Sequence, residues 1–241
     1  MKKSNQKKII SFVSVFLISI GVYYIEQNNY FDTKPVINIE LDAPSISLSE
    51  IPDYSDQDYV YINNNVPSFD SKYYITSSFE IYSPLDELGR CGIAFANVSL
   101  ETMPDRERTS IGQVKPSGWH TIKYDIIDGK YLYNRCHLIA YQLTGENANE
   151  KNLITCTRHM NADVMVPFES KVAEYVKKTD NHVLYRVTPF YEGDNLLATG
   201  VQIEAYSVED NGAGVSFNVF IYNVQDGIEI DYKNGESKLK Q

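Results

Sequence analysis

Three cysteines and one tryptophan are few for 241 residues, and acidic side chains outnumber basic ones 32 to 22. Each scarcity narrows the function. No two cysteines stand in a CxxC spacing, which argues against a structural zinc site. An odd number of thiols leaves at least one unpaired. A Cys91–Cys136 disulfide is favoured because both residues lie in predicted strands, with three buried thiols as the alternative. The net charge of −10 includes +4 from Lys2, Lys3, Lys7 and Lys8, so everything after them carries −14. A protein that stays on nucleic acid by releasing counterions needs a basic face, and this balance has the wrong sign for one. An enzyme that meets an anionic substrate through a divalent cation and a few arginines remains compatible. No glycine-rich phosphate loop, GxSxG or HExxH motif occurs, so NTP-hydrolysing, serine-hydrolase and zinc-protease readings find no support.

What is present divides the chain into three. Residues 9–25 form an uncharged apolar run of 17 behind the lysines, the pattern of a signal peptide or a short transmembrane span. No small-x-small cleavage site follows, and Tyr23 and Tyr24 suit a membrane interface. The favoured expectation is therefore an uncleaved anchor over 1–25 with the rest of the chain outside a cell membrane; cleavage and secretion is the alternative. Residues 26–70 hold nine acidic residues against one lysine, with Pro35, Pro44, Pro52 and Pro67, and read as an acidic spacer. Residues 71–241, about 170 in number, suffice for one buried domain.

Within that domain, 19 tyrosines and 10 phenylalanines across the whole chain favour a strand-rich core. Strands are predicted over 92–98, at the start of the run YLYNRCHLIAYQL, and over the apolar stretches HVLYRVTPFY, LLATGVQIEAYSV and VSFNVFIYNV, which read as an antiparallel meander. Past Pro167, apolar Phe168, Val172 and Val176 recur at helical spacing and predict an amphipathic helix of about three turns. The tail from Lys233 is polar and expected to fray. The fold class is mixed α/β, in the α+β sense, with a central antiparallel sheet.

The informative residues are Asn134-Arg135-Cys136-His137, then Asn152, Asn161 and Glu169. They resemble the DNA/RNA non-specific endonuclease family, whose ββα-metal fold carries a motif usually written DRGH. Here it stands as NRCH, followed by an asparagine, a second nine residues on and a glutamate eight further. The loop over 108–119 looks like the one that precedes the motif in bacterial members, and the resemblance covers roughly 89–169. Asn134 replaces the motif's aspartate and Cys136 its glycine; neither change removes a group the reaction requires. Membrane-anchored nucleases of streptococci share this arrangement of anchor and single domain.

The resemblance implies a Mg²⁺-dependent phosphodiester hydrolase, with Mn²⁺ as a substitute, that acts on DNA and RNA and leaves 5′-phosphate ends; no obligate protein partner is expected. The residue chemistry agrees. Hydrolysis needs a base, a cation and groups that hold the phosphate in line. His137 is the expected general base, since an imidazole titrates near working pH. Asn161 offers a neutral oxygen to a hard cation, Glu169 is expected to accept hydrogen bonds from water at the ion, and Asn152 to support the site from behind. Arg135 and Arg108 are the expected phosphate clamps, Arg108 preferred over Arg106 on the loop resemblance. His120, His159 and His182 read as structural. The competing reading is a catalytically weak surface module derived from a nuclease, for which the altered motif is the best support.

Overall fold

The computed structural model describes residue 41 and residues 46–241; the expected anchor at 1–25 and the first part of the expected spacer lie outside the described residues. Chain order runs β1 (Tyr59–Tyr61), β2 (Phe79–Tyr82), β3 (Ala94–Val98), β4 (Tyr133–His137), a helical turn α1 (Tyr141–Thr144) and β5 (Leu153–Thr157). A π-helical turn, Met160–Met165, then leads into α2 (Val166–Thr179), followed by β6 (Val183–Phe190), β7 (Gly200–Ser207), β8 (Ser216–Tyr222), β9 (Ile228–Ile230) and β10 (Ser237–Leu239). The three C-terminal runs form the expected meander. It is the centre of a six-stranded antiparallel sheet ordered β1-β8-β7-β6-β3-β2.

One face of that sheet carries the main core. Ala94, Ala96 and Val98 of β3 and Val183, Tyr185 and Val187 of β6 alternate inward, as strand periodicity requires, and meet Val172 and Val176 of α2. The β4–β5 hairpin packs into the same core through Cys136, Ile154 and Cys156, so β4, β5 and α2 form the ββα element against the sheet. Among the described residues no helix is long and apolar enough to cross a membrane.

The folded unit starts earlier than the sequence predicts. Residues 46–70 were expected to be spacer, yet β1 pairs with β8, and Ile46, Leu48, Ile51 and Tyr54 pack on Phe190, Phe220 and Tyr222 of the sheet's other face. A buried ion pair fixes the end of this segment. Arg186 and Glu204 face each other across β6 and β7, with Arg186 Nη2 donating to Glu204 at 2.6 Å. The amide and hydroxyl of Ser68 each donate to the other carboxylate oxygen at 2.8 Å. Acidic composition hid this because the contacts that fold the segment lie 118 and 136 residues away.

The tail is likewise held. β9 and β10 pair antiparallel, and Gly235 between them adopts φ 86°, where a β-carbon would strike the Gly118 carbonyl. Tyr133 of β4 donates its hydroxyl proton to the Gly235 carbonyl at 3.0 Å, which ties the expected frayed end to the strand that carries the motif.

The disulfide joins Cys136 to Cys156, not Cys91 to Cys136; Cys91 is a free buried thiol. In the β4–β5 register Cys136 faces Ile154 and Cys156 faces Asn134, so the two cysteines are diagonal neighbours with Cα atoms 5.9 Å apart, within bridging reach. Cys91 instead points its thiol at the Glu150 and Leu153 carbonyls, and burial pushes its pKa up to about 12. The bridge closes a 20-residue loop, worth about 3 kcal/mol of unfolded-state entropy. The Cys136→Ser/Cys156→Ser double variant is therefore expected to melt roughly 5–12 °C lower by calorimetry. A Cys91→Ser variant carries no such loop term.

Candidate active site

Five consecutive register pairs, from Tyr133↔Thr157 to His137↔Leu153, hold the NRCH strand rigidly against β5. Beyond His137 the fully buried Leu138 and Ile139 turn the chain into the core. Asn152 fixes that turn. Its carboxamide oxygen accepts from the Ile139 amide at 2.8 Å and its NH₂ donates to the Ile139 carbonyl at 3.0 Å. It is fully buried and faces backbone, the supporting position expected of it: Asn152 holds the segment that presents His137. Asn152→Ala leaves two buried backbone groups unpaired and is expected to destabilise the fold by about 2–4 kcal/mol in urea unfolding.

His137 is 7% exposed. Its Nε2 lies 2.8 Å from the Asn147 carbonyl, an acceptor only, so Nε2 carries the proton and Nδ1 presents a lone pair. Arg108 Nη2 sits 3.3 Å from that Nδ1. Burial lowers the imidazole pKa to about 4; the Arg108 charge pushes the same way, while hydrogen bonding to the Asn147 carbonyl opposes both. The ring is therefore neutral at neutral pH, with its Nδ1 lone pair facing the Arg108 guanidinium.

Asn161 lies in the π-helical turn and Glu169 in α2. Positions eight apart fall roughly 80° out of line on an unbroken helix of 3.6 residues per turn, and the wider π-turn takes up part of that offset. Both side chains line one cavity of about 270 Å³ together with Arg108 and His137, so the strand and helix sides of the motif converge. Glu169 is 8% exposed, and no hydrogen-bond donor among the described residues reaches its carboxyl. Burial raises its pKa to about 7, against a smaller lowering by the Arg108 charge. The cavity thus pairs a neutral imidazole lone pair with a half-ionised carboxyl and a carboxamide that makes no hydrogen bond to the described residues.

A second cavity of about 470 Å³ adjoins the first, sharing Arg108 and Asn161. Arg135 lines it, but not as a free clamp. Its Nε donates to the Val114 carbonyl, its Nη2 to the Gly112 carbonyl at 3.0 Å, and its guanidinium stacks 3.9 Å from the centroid of the Trp119 ring. Those contacts make Arg135 the brace of the 112–119 loop while its side chain still lines the cavity. Arg108 is the exposed arginine at the cavity; Arg106 points its side chain at Asp105 instead.

Sequence reasoning missed two supports. The Asn147 carbonyl sets the His137 tautomer, and the Tyr141 hydroxyl donates to the Arg106 carbonyl at 2.8 Å, holding the loop that carries Arg108. A backbone carbonyl leaves no signature in residue type, so the first had no readable signal. The remaining histidines are structural as expected: His120 meets the Asn234 carbonyl, His159 lies between Asp58 and Asp163, and His182 pairs with Glu209.

Comparison with known proteins identifies the family and the fold. The family model of the DNA/RNA non-specific endonucleases matches residues 70–209. A deoxyribonuclease of Streptococcus dysgalactiae subsp. equisimilis is 26% identical over 262 aligned positions, which cover 90% of this chain and 75% of that protein. The crystal structure of NucA from Streptococcus agalactiae with magnesium bound superposes with a TM-score of 0.67 at 26% identity, over 75% of this chain and 87% of that one. Sda1 nuclease with bound zinc shares the fold at 24% identity, with a TM-score of 0.62 over 76% of this chain and 96% of that one.

Proposed function

The chain belongs to the DNA/RNA non-specific endonuclease family and is a nuclease; from that premise we propose that it cuts internal phosphodiester bonds of DNA and RNA without strong sequence preference, with His137 as general base and a divalent cation at Asn161. The observation that carries this is the convergence of His137, Asn161, Glu169 and Arg108 on one cavity. Mg²⁺ is the favoured ion and Mn²⁺ a substitute, in keeping with the magnesium in the similar NucA structure.

The residues fit such an ion. Two oxygen donors without hydrogen-bond donors of their own, the Asn161 carboxamide and the Glu169 carboxyl, line the cavity, and hard cations take oxygen. Among the described residues no group of three or more His, Cys, Asp or Glu is arranged to enclose a metal, which suits an ion held by few side chains rather than a closed zinc site. When bound, the cation neutralises charge that grows on the phosphate and leaving oxygen.

His137 Nδ1 takes the proton of the attacking water, and the Asn147 carbonyl stabilises the imidazolium by holding Nε2–H. Arg108 blocks that lone pair in the free enzyme, so it exchanges Nδ1 for a phosphate oxygen when substrate arrives. Glu169 orients water near the ion through its carboxyl oxygens. Arg135 acts through the loop it braces.

We place the catalytic domain outside the cell, tethered by residues 1–25 with their lysines inside; the apolar run and its basic flank support this. Supercoiled plasmid and ribosomal RNA are the test substrates. Nicking of the plasmid and shortening of the RNA are expected with Mg²⁺, and neither after EDTA. Intact nucleic acid in both conditions overturns the reading in favour of a binding module.

A further inference from the structure

We propose that the wider cavity beside His137 is a nucleobase-stacking subsite, which holds the unpaired base of a nucleotide flanking the cut bond and so favours single-stranded over duplex substrate. The proposal rests on the nuclease reading of the adjoining cavity. Because Arg108 and Asn161 line both spaces, a strand whose phosphate sits at the first has the second within reach of a neighbouring sugar and base.

The walls of the second space suit a flat aromatic ring better than another phosphate. Trp119 and Tyr131 both line it, with Thr121 and Asn134 supplying polar edges. Tyr131 is among the few large hydrophobic side chains left in solvent, at 46% exposure. Its ring is held by Lys123, whose Nζ lies 4.4 Å from the centroid. Arg135 covers one face of Trp119 and Lys123 one face of Tyr131, so the second face of the Tyr131 ring and the outer plane of the guanidinium are the surfaces such a subsite uses. Bases stack on aromatic rings and on arginine planes alike.

Charge agrees with this placement. Between residues 105 and 137 stand six basic and four acidic residues, a positive stretch in a chain of net charge −10. Stacking tolerates every base because each has a π-face, so such a subsite adds affinity without adding sequence preference. A base inside a duplex is already stacked and must be extruded first, and that cost discriminates against paired substrate.

Trp119 is the sole tryptophan and so reports on the cavity directly. The full chain in EDTA, where nothing is cut, is titrated with oligo-deoxythymidylate and with a strand of the same length built from abasic tetrahydrofuran units. Quenching by the base-bearing strand alone supports the subsite; equal quenching by both, or none by either, overturns it. With Mg²⁺, kcat/KM for the base-bearing strand is expected to exceed that for the abasic one roughly five- to a hundred-fold. Tyr131→Ala should compress this ratio several-fold, and Tyr131→Phe, which keeps the ring, should restore it. A wild-type ratio near one, or a ratio that Tyr131→Ala leaves unchanged, sinks the proposal. Failure to cut either strand with Mg²⁺ counts against the nuclease reading instead, while the fluorescence titration still decides the subsite.

Discussion

Replacing His137 by alanine lowers the rate of plasmid nicking by about 10²- to 10⁴-fold, the range expected when a positioned base is removed. Circular dichroism and native elution volume are expected to stay unchanged, because the disulfide and the Asn152 clamp hold β4 and the turn after it without the imidazole. The pH profile makes the claim sharper. A general base works in its unprotonated form, and burial beside Arg108 holds the His137 pKa at about 4. The kcat/KM of the free enzyme should therefore carry no imidazole limb near pH 6.5: a fall near pH 7 belongs to the Glu169 carboxyl and should be absent from Glu169→Gln, whose remaining activity falls only as the solution approaches pH 4. Nicking by His137→Ala at the wild-type rate removes the mechanism. An acid limb near 6.5 that survives in Glu169→Gln means that the ring is more exposed than this geometry allows.

Local motifs were readable and distant contacts were not. His137, Asn161 and Glu169 could be placed from sequence because a strand and the helical segment after it are contiguous in the chain, and their spacing determines which side chains meet. Arg135 and Asn152 belong to the same motif, yet their roles depend on which backbone groups fold back onto them. Arg135 is spent on carbonyls of residues 112 and 114, and Asn152 on residue 139. The disulfide shows the same limit. Cys91 and Cys136 both lie near strands, but only the β4–β5 register puts Cys156 diagonally across from Cys136. Residues 46–70 misled for a different reason. Their acidic composition describes a solvated stalk, whereas β1 and Ser68 find partners in strands more than a hundred residues on. The same reach explains the tail, whose polar sequence gives no hint that Tyr133 holds it.

Glu169→Gln should make the protein more stable and the enzyme worse. The sign follows from burial. An ordinary glutamate ionises near pH 4.5, and desolvation in the cavity raises this one to about 7. A group whose folded pKa is raised contributes stability that is fully present below about 4.5 and is lost as pH rises through 7. By pH 8 the buried charge costs about 3 kcal/mol relative to a neutral side chain, and glutamine removes that cost without changing the shape. The expected outcome is a melting temperature higher than wild type at pH 8, with the gap closing by pH 5. His137 titrates with the opposite sense: its depressed pKa makes stability fall as pH drops from about 6.5 towards 4, so acid sensitivity should persist in the variant. Activity should move against stability. Glutamine keeps an oxygen but loses the charge proposed to order water near the cation, and a supporting group of that kind is worth about 10- to 100-fold in activity or metal affinity. A strained carboxyl retained at a stability cost is what a working site requires. Glu169→Gln at full activity, or less stable at pH 8, would show that the carboxyl only fills space between α2 and the sheet.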